Sequence, residues 1–168
     1  IHTEDNLDVI RIKRSNNLPI RWIKTIYQIL KNGRRSDLIF VNGLGVESAI
    51  ANLILQKQLI RKIVGDPVWE RAYNKKRITE SFDDFQNNKH SFLIEVQKLL
   101  RNWSINSAEI VITPSDNLKS FVSGIGYSQK ILKINNGVNI TDINRANESK
   151  ADINLIIISR LVVQKNIN

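Results

Sequence analysis

Residues Asp37-Leu-Ile-Phe-Val41 form an apolar run, and the glycine turn Asn42-Gly-Leu-Gly45 follows at once. The apolar positions then shift to helical spacing at Val46, Ala49, Ile50, Leu53 and Ile54, before Leu59-Ile-Arg-Lys-Ile-Val64 returns to strand character. A strand, a helix and a second strand joined by such short turns have the length of a parallel crossover, because parallel neighbours need a connection that runs back along the sheet. The second half repeats the order. Phe92, Val96, Leu99 and Trp103 mark an amphipathic helix and Glu109-Ile-Val-Ile-Thr113 a buried strand. Ser115-Asp116 caps a helix through Leu118, Phe121 and Val122, and Ile131-Leu-Lys-Ile134 reads as a last strand before Asn135-Asn-Gly-Val138. Upstream, Val9 to Lys13 alternates apolar and charged residues like an edge strand, and Pro19 opens a helix that Gly33 ends. The pattern predicts an open α/β, Rossmann-like parallel sheet flanked by helices. Asp37–Val41, Ile60–Val64 and Glu109–Thr113 are expected as central strands, covered on both faces.

Composition narrows the function classes. The 168 residues contain no cysteine, which removes disulfides, thiolate nucleophiles and Cys-based zinc sites, and only two histidines, His2 and His90. A net charge of +9 favours anionic partners. No apolar run approaches the roughly 18–20 residues of a membrane span. The chain also lacks methionine, so it reads as a processed product or a piece of a longer one. Residues 139–152 are polar and read as a linker; the apolar run Asn154-Leu-Ile-Ile-Ile-Ser159 reads as the first strand of a second domain over 153–168. Residues 1–138 form the first domain on this reading.

In an open α/β sheet, ligands gather beyond the carboxyl ends of the strands. Four groups of residues fall there. Gly43-Leu-Gly45-Val-Glu-Ser48 has the place of a dinucleotide-binding turn, with Asp66 near the position of a ribose-binding acid, but Ser48 stands where the third glycine belongs. Gly65-Asp66-Pro67 sets a carboxylate just past a strand end, where it either meets a substrate or caps the next short helix. Asn135-Asn136-Gly137 closes another strand. Arg160 and Lys165, five residues apart after an apolar strand, can converge on a diphosphate or stand as solvated surface cations. Asp83 and Asp84 are adjacent on a helix and point apart, so they form no metal pair, and neither His2 nor His90 has a catalytic setting.

Arg160-Leu-Val-Val-Gln-Lys165 resembles the Arg-Leu-x-x-x-Lys element of family 4 glycosyltransferases, retaining enzymes of the two-Rossmann-domain GT-B type. Other segments fall in that family's order: Asp37 to Gly45, Gly65-Asp-Pro-Val-Trp-Glu-Arg71, Ile110-Val-Ile-Thr-Pro-Ser115 and Asn135-Asn-Gly-Val138. The resemblance implies transfer of a sugar from a nucleotide-diphosphate sugar to a glycan or lipid-linked acceptor in polysaccharide or cell-envelope synthesis. It implies no cofactor beyond the donor, and no metal. Arg160 and Lys165 would then neutralise the departing diphosphate. Asp66 would act on the acceptor side, with Asn42, Gly43, Gly45, Gly65, Asn136 and Gly137 lining the cleft. The resemblance covers a central slice of such an enzyme, so residues 1–168 alone are expected not to turn over. It also places the protein in the cytoplasm, with peripheral contact at the inner face of the plasma membrane.

Two other classes compete. Gly43, Gly45 and Asp66 suit a nicotinamide-dependent oxidoreductase or sugar epimerase. The positive charge suits a nucleic-acid-binding module, but Lys75-Lys76-Arg77 is the only tight basic cluster and the three tryptophans do not interleave with it. A contact with nucleic acid is therefore not expected. Arg11, Lys13, Arg14, Arg21 and Lys24, interleaved with Ile12, Ile20, Trp22 and Ile23, suit either an anionic membrane surface or a solvated basic face.

Overall fold

The computed structural model describes residues 2–4, 7–13 and 17–137. Its centre is a four-stranded, all-parallel sheet of β3 (Leu38–Asn42), β4 (Gln58–Lys62), β5 (Ile110–Thr113) and β6 (Lys130–Lys133), in that spatial order. Phe40 pairs with Ile60, Ile60 with Ile110 and Ile110 with Lys130, which fixes one register across the sheet. The helices between strands are α2 (Gly45–Leu55), then α3 (Pro67–Asn74), α4 (Phe82–Asn87) and α5 (Phe92–Asn106), then α6 (Asp116–Gly124). A longer helix, α1 (Leu18–Gly33), precedes β3 and packs on α2.

The parallel α/β reading holds, and the local signals explain most element ends. Pro19 sits in the first turn of α1, where its missing N–H costs nothing. Asp66, Ser81 and Ser115 cap α3, α4 and α6 by accepting from the N–H groups of Val68, Asp84 and Leu118.

Three expectations are corrected. Val9 to Lys13 is not a strand: β1 (His2–Glu4) and β2 (Leu7–Val9) form a separate antiparallel pair, and 10–13 have no regular structure. The run at Asp37–Val41 forms β3, but among the described residues β3 is an edge strand rather than a central one. Nor do the described residues cover the sheet on both faces there. When consecutive parallel strands are spatial neighbours all the way across, right-handed crossovers put every connecting helix on the same side. Val41, Leu59, Ile63 and Val111 accordingly face the helices and meet Ile105, Phe121 and Val122 in the main core. The opposite face carries Phe40 and Val64, 54% and 57% exposed, beside the partly buried Ile60, Ile110 and Ile112.

The helix expected at Phe92 to Trp103 forms as α5, but Phe92 is 80% exposed, and Leu99 and Trp103 also reach solvent. The buried positions are Ile94, Lys98, Arg101, Ser104 and Ile105. A smaller cluster of Val68, Ala72, Phe85 and Ile94 joins α3, α4 and α5. The linker and second-domain readings, 139–152 and 153–168, lie outside the described residues, as do Arg160 and Lys165.

Candidate site at the carboxyl edge of the sheet

The parallel register brings three of the sequence-selected loops to one edge. Asn42 ends β3 and leads into Gly43, Leu44 and Gly45; Gly65 and Asp66 follow β4; Asn136 and Gly137 lie beyond β6. The ladder continues past the assigned ends, since Ile63 N–H donates to Ile112 O at 2.8 Å and Ile134 N–H to Thr113 O at 2.9 Å. Asn42, Gly43, Asn136 and Gly137 are exposed there.

The turn at β3 is built for a close approach. Gly43 adopts φ +88° and Leu44, at φ 46°, holds the N-cap of α2 in a left-handed conformation without any side-chain cap. A Cβ on Gly45 would collide with the Arg61 guanidinium, so this glycine leaves room for the arginine to lie against the first turn of α2. Ser48 is buried in the same helix, facing inward with Ala49 and Ala51.

Asp66 is buried and fully engaged. Its Oδ1 accepts from Val68 N–H at 2.9 Å, and its Oδ2 accepts from Gln86 Nε2 at 3.1 Å and from Arg101 Nη1. Its side chain is thus the cap of α3 and the partner of a buried cation. The Glu70 carboxylate fills the place a Cβ on Gly65 would take.

Sequence reasoning missed the cations behind this edge. Arg61 lies on β4 facing the helices, and its Nη1 donates to Ser104 Oγ at 2.7 Å. Burial, and then the neighbouring Arg101, pull its pKa down to about 10 against the opposing pull of Glu47. Burial also lowers Arg101, although Asp66 opposes the shift, and its guanidinium carbon sits 5.0 Å from the Phe121 ring centre. The signal was present in two places. Strand alternation forces Arg61 and Lys62 to opposite faces, so one of them must meet the helices. Lys98, Arg101 and Ser104 recur every three residues and so share a face of α5.

A second polar cluster surrounds His90. The Lys98 ammonium donates to Phe85 O at 2.7 Å, Asn88 O at 2.9 Å and His90 Nδ1 at 3.1 Å, while His90 Nε2 lies 2.9 Å from Glu80 Oε2. Burial would raise Glu95, but the His90 N–H and Lys98 outweigh it and hold its carboxyl below the usual range. A cleft of about 600 Å³ opens between α4, α5 and α6, lined in part by Asp83, Gln86, Lys98, Asn117 and Phe121. Asp84 accepts from Ser81 Oγ at 2.7 Å and belongs to the α4 cap. Among the described residues no group of three or more metal-ligating side chains comes together, and no helix is long and apolar enough to cross a membrane.

The chain matches no family model, no curated protein and no solved structure. The local chemistry therefore carries the functional argument: exposed glycine and asparagine turns at the carboxyl edge of a parallel sheet, backed by two buried arginines and one buried carboxylate.

Proposed function

We propose that the chain is the acceptor-side unit of a retaining glycosyltransferase that moves a sugar from a nucleotide-diphosphate donor to a glycan or lipid-linked acceptor. The observation that carries this reading is the convergence of Asn42–Gly45, Gly65–Asp66 and Asn136–Gly137 on one sheet edge. Those segments also carry the resemblance in sequence. Exposed asparagine amides offer both donors and acceptors, which suits a neutral ligand rich in hydroxyl groups. Arg160 and Lys165 would hold the donor diphosphate, replacing a metal as the counter-charge to the leaving group. Asp66 would position the loop that receives the acceptor, since its carboxylate is already shared between the α3 cap, Gln86 and Arg101.

A lipid-linked acceptor would bring the chain to the cytoplasmic membrane surface, and α1 suits that contact. It exposes Ile20, Ile23 and Lys24 on one side, with Trp22 exposed round the helix from them.

Retention on immobilised oligosaccharide and glycolipid acceptors tests the reading. Release by free acceptor, with no competition from NADH, supports it. Retention on NADH-bearing resin and on none of the glycans would replace it with the oxidoreductase reading.

A further inference from the structure

We propose that the first turn of α2 and the Arg61 guanidinium together form a binding site for a phosphoryl group, either a phosphate monoester or a diphosphate. Three features of this corner of the molecule converge on it.

The first is the open end of the helix. α2 has 11 residues, and Leu44 at its N-cap supplies no side-chain acceptor. The N–H groups of the first turn point out of the helix end with the positive end of its dipole behind them, and Gly45, Val46 and Glu47 there are only partly buried.

The second is independent of the helix. Arg61 is 9% exposed, and among the described residues no carboxylate lies within ion-pair distance of it. Its hydrogen bond there is the one from Nη1 to the neutral Ser104 Oγ, which leaves Nη2 and Nε without an acceptor. Asp66 cannot compensate it, being committed to Arg101. A buried cation in this state costs stability unless a counter-charge reaches it.

The third is access. Gln86 Oε1 is the one fully buried side-chain polar atom without a partner among the described residues, so the free N–H groups of Arg61 are not sealed in the interior. The guanidinium lies against Gly45, and only a glycine allows that approach. A planar fork of N–H donors beside outward-facing backbone N–H groups matches tetrahedral phosphate oxygens, which accept from both sets at once. Glu47 is the opposing group: it acts on Arg61 through space without closing an ion pair, and so weakens the field an anion meets.

The site lies at the carboxyl edge beside the loops assigned above to the acceptor, but it stands on its own geometry. A failure of glycan binding would leave it untouched. Two sources of a phosphoryl group fit it, a soluble sugar phosphate and the headgroup of a phosphorylated lipid.

The test follows the backbone amide shifts of Gly45, Val46 and Glu47 in the full 168-residue chain. Inorganic phosphate is titrated in at constant ionic strength held with chloride. Saturable shifts at these three amides are expected. Arg61→Met should weaken binding about tenfold, the loss of a charge-assisted hydrogen bond, while Glu47→Gln should tighten it about twofold. The Glu47 variant keeps the proposal falsifiable if Arg61→Met fails to fold. Non-saturating shifts, equal shifts with chloride alone, or phosphate affinity unchanged in Glu47→Gln would overturn it. Glucose 1-phosphate and phosphatidylcholine vesicles containing phosphatidic acid then separate the sources. Binding of either supports the site and names its source; binding of neither overturns it.

Discussion

Asp66 and Arg101, 35 positions apart in sequence, close a buried ion pair that joins the loop after β4 to the middle of α5. The same carboxylate caps α3, so one side chain fixes the direction of a helix and compensates a buried cation. Removing one partner of such a pair leaves the other charged and unpaired, at about 3–5 kcal/mol. Asp66→Ala is therefore expected to lower the unfolding free energy by about that amount, measured by urea denaturation. Asp66→Asn should cost less, because an asparagine still caps. Equal losses in the two variants would remove the cap from the account.

Lys98 and His90 supply a second prediction. An ammonium has no acceptor, so its contact with His90 Nδ1 requires a lone pair on that nitrogen and places the ring proton on Nε2, facing Glu80. Long-range 15N correlation spectra of the imidazole at neutral pH should show this tautomer. Lys98→Met should destabilise the fold by about 1–3 kcal/mol, since Phe85 O and Asn88 O lose their donor. A ring protonated on Nδ1 would contradict the network.

Much of this architecture was legible because it rests on local signals. Caps at Asp66 and Ser115, Pro19 at a helix start, and apolar runs between glycine turns report the backbone directly. The hidden part lies in α5 and β4. A hydrophobic stripe at Phe92, Val96, Leu99 and Trp103 has the period of a core face, yet the interior here must also accommodate Arg61 from the sheet and Asp66 from a loop. Arg101 meets Asp66, Ser104 meets Arg61 and Lys98 turns inward to Phe85 O and Asn88 O, and the apolar stripe is left outside. Periodicity gives a helix its two faces; only the groups opposite decide which one is buried. The sheet face left open by the described residues was likewise invisible, because a continuous apolar run looks the same whether one or both faces are covered.

Tyr127 gives the pH dependence. Its hydroxyl donates to Ala108 O at 3.0 Å, and burial, reinforced by Glu109, raises its pKa from 10.0 to about 12. The folded state thus keeps a proton that the unfolded state loses. Stability from this group is complete below pH 10 and falls as pH rises toward about 12. Ultraviolet titration should show a tyrosine ionisation near pH 12 that Tyr127→Phe removes. Tyr127→Phe should flatten the alkaline loss of stability; an unchanged alkaline slope would contradict the assignment.

The exposed patch on α1 predicts a preference among membranes. Each Lys or Arg near an anionic surface contributes about 1 kcal/mol, and Trp22 supplies an interfacial ring. The chain should sediment with anionic vesicles at low salt, and Trp22→Ala together with Ile23→Ala should reduce that binding. Equal binding to neutral vesicles would remove the membrane contact from the reading.

The central claim is that the carboxyl-edge loops receive a glycan acceptor. Amide shift mapping of the full chain against a panel of oligosaccharides and short-chain glycolipids tests it most directly. The account predicts saturable shifts at Asn42, Gly43, Gly65, Asn136 and Gly137 with at least one acceptor, and none at Leu99 or Trp103 on the outer face of α5. An absence of saturable shifts at those loops across the panel, or saturation there by NADH instead, would contradict it.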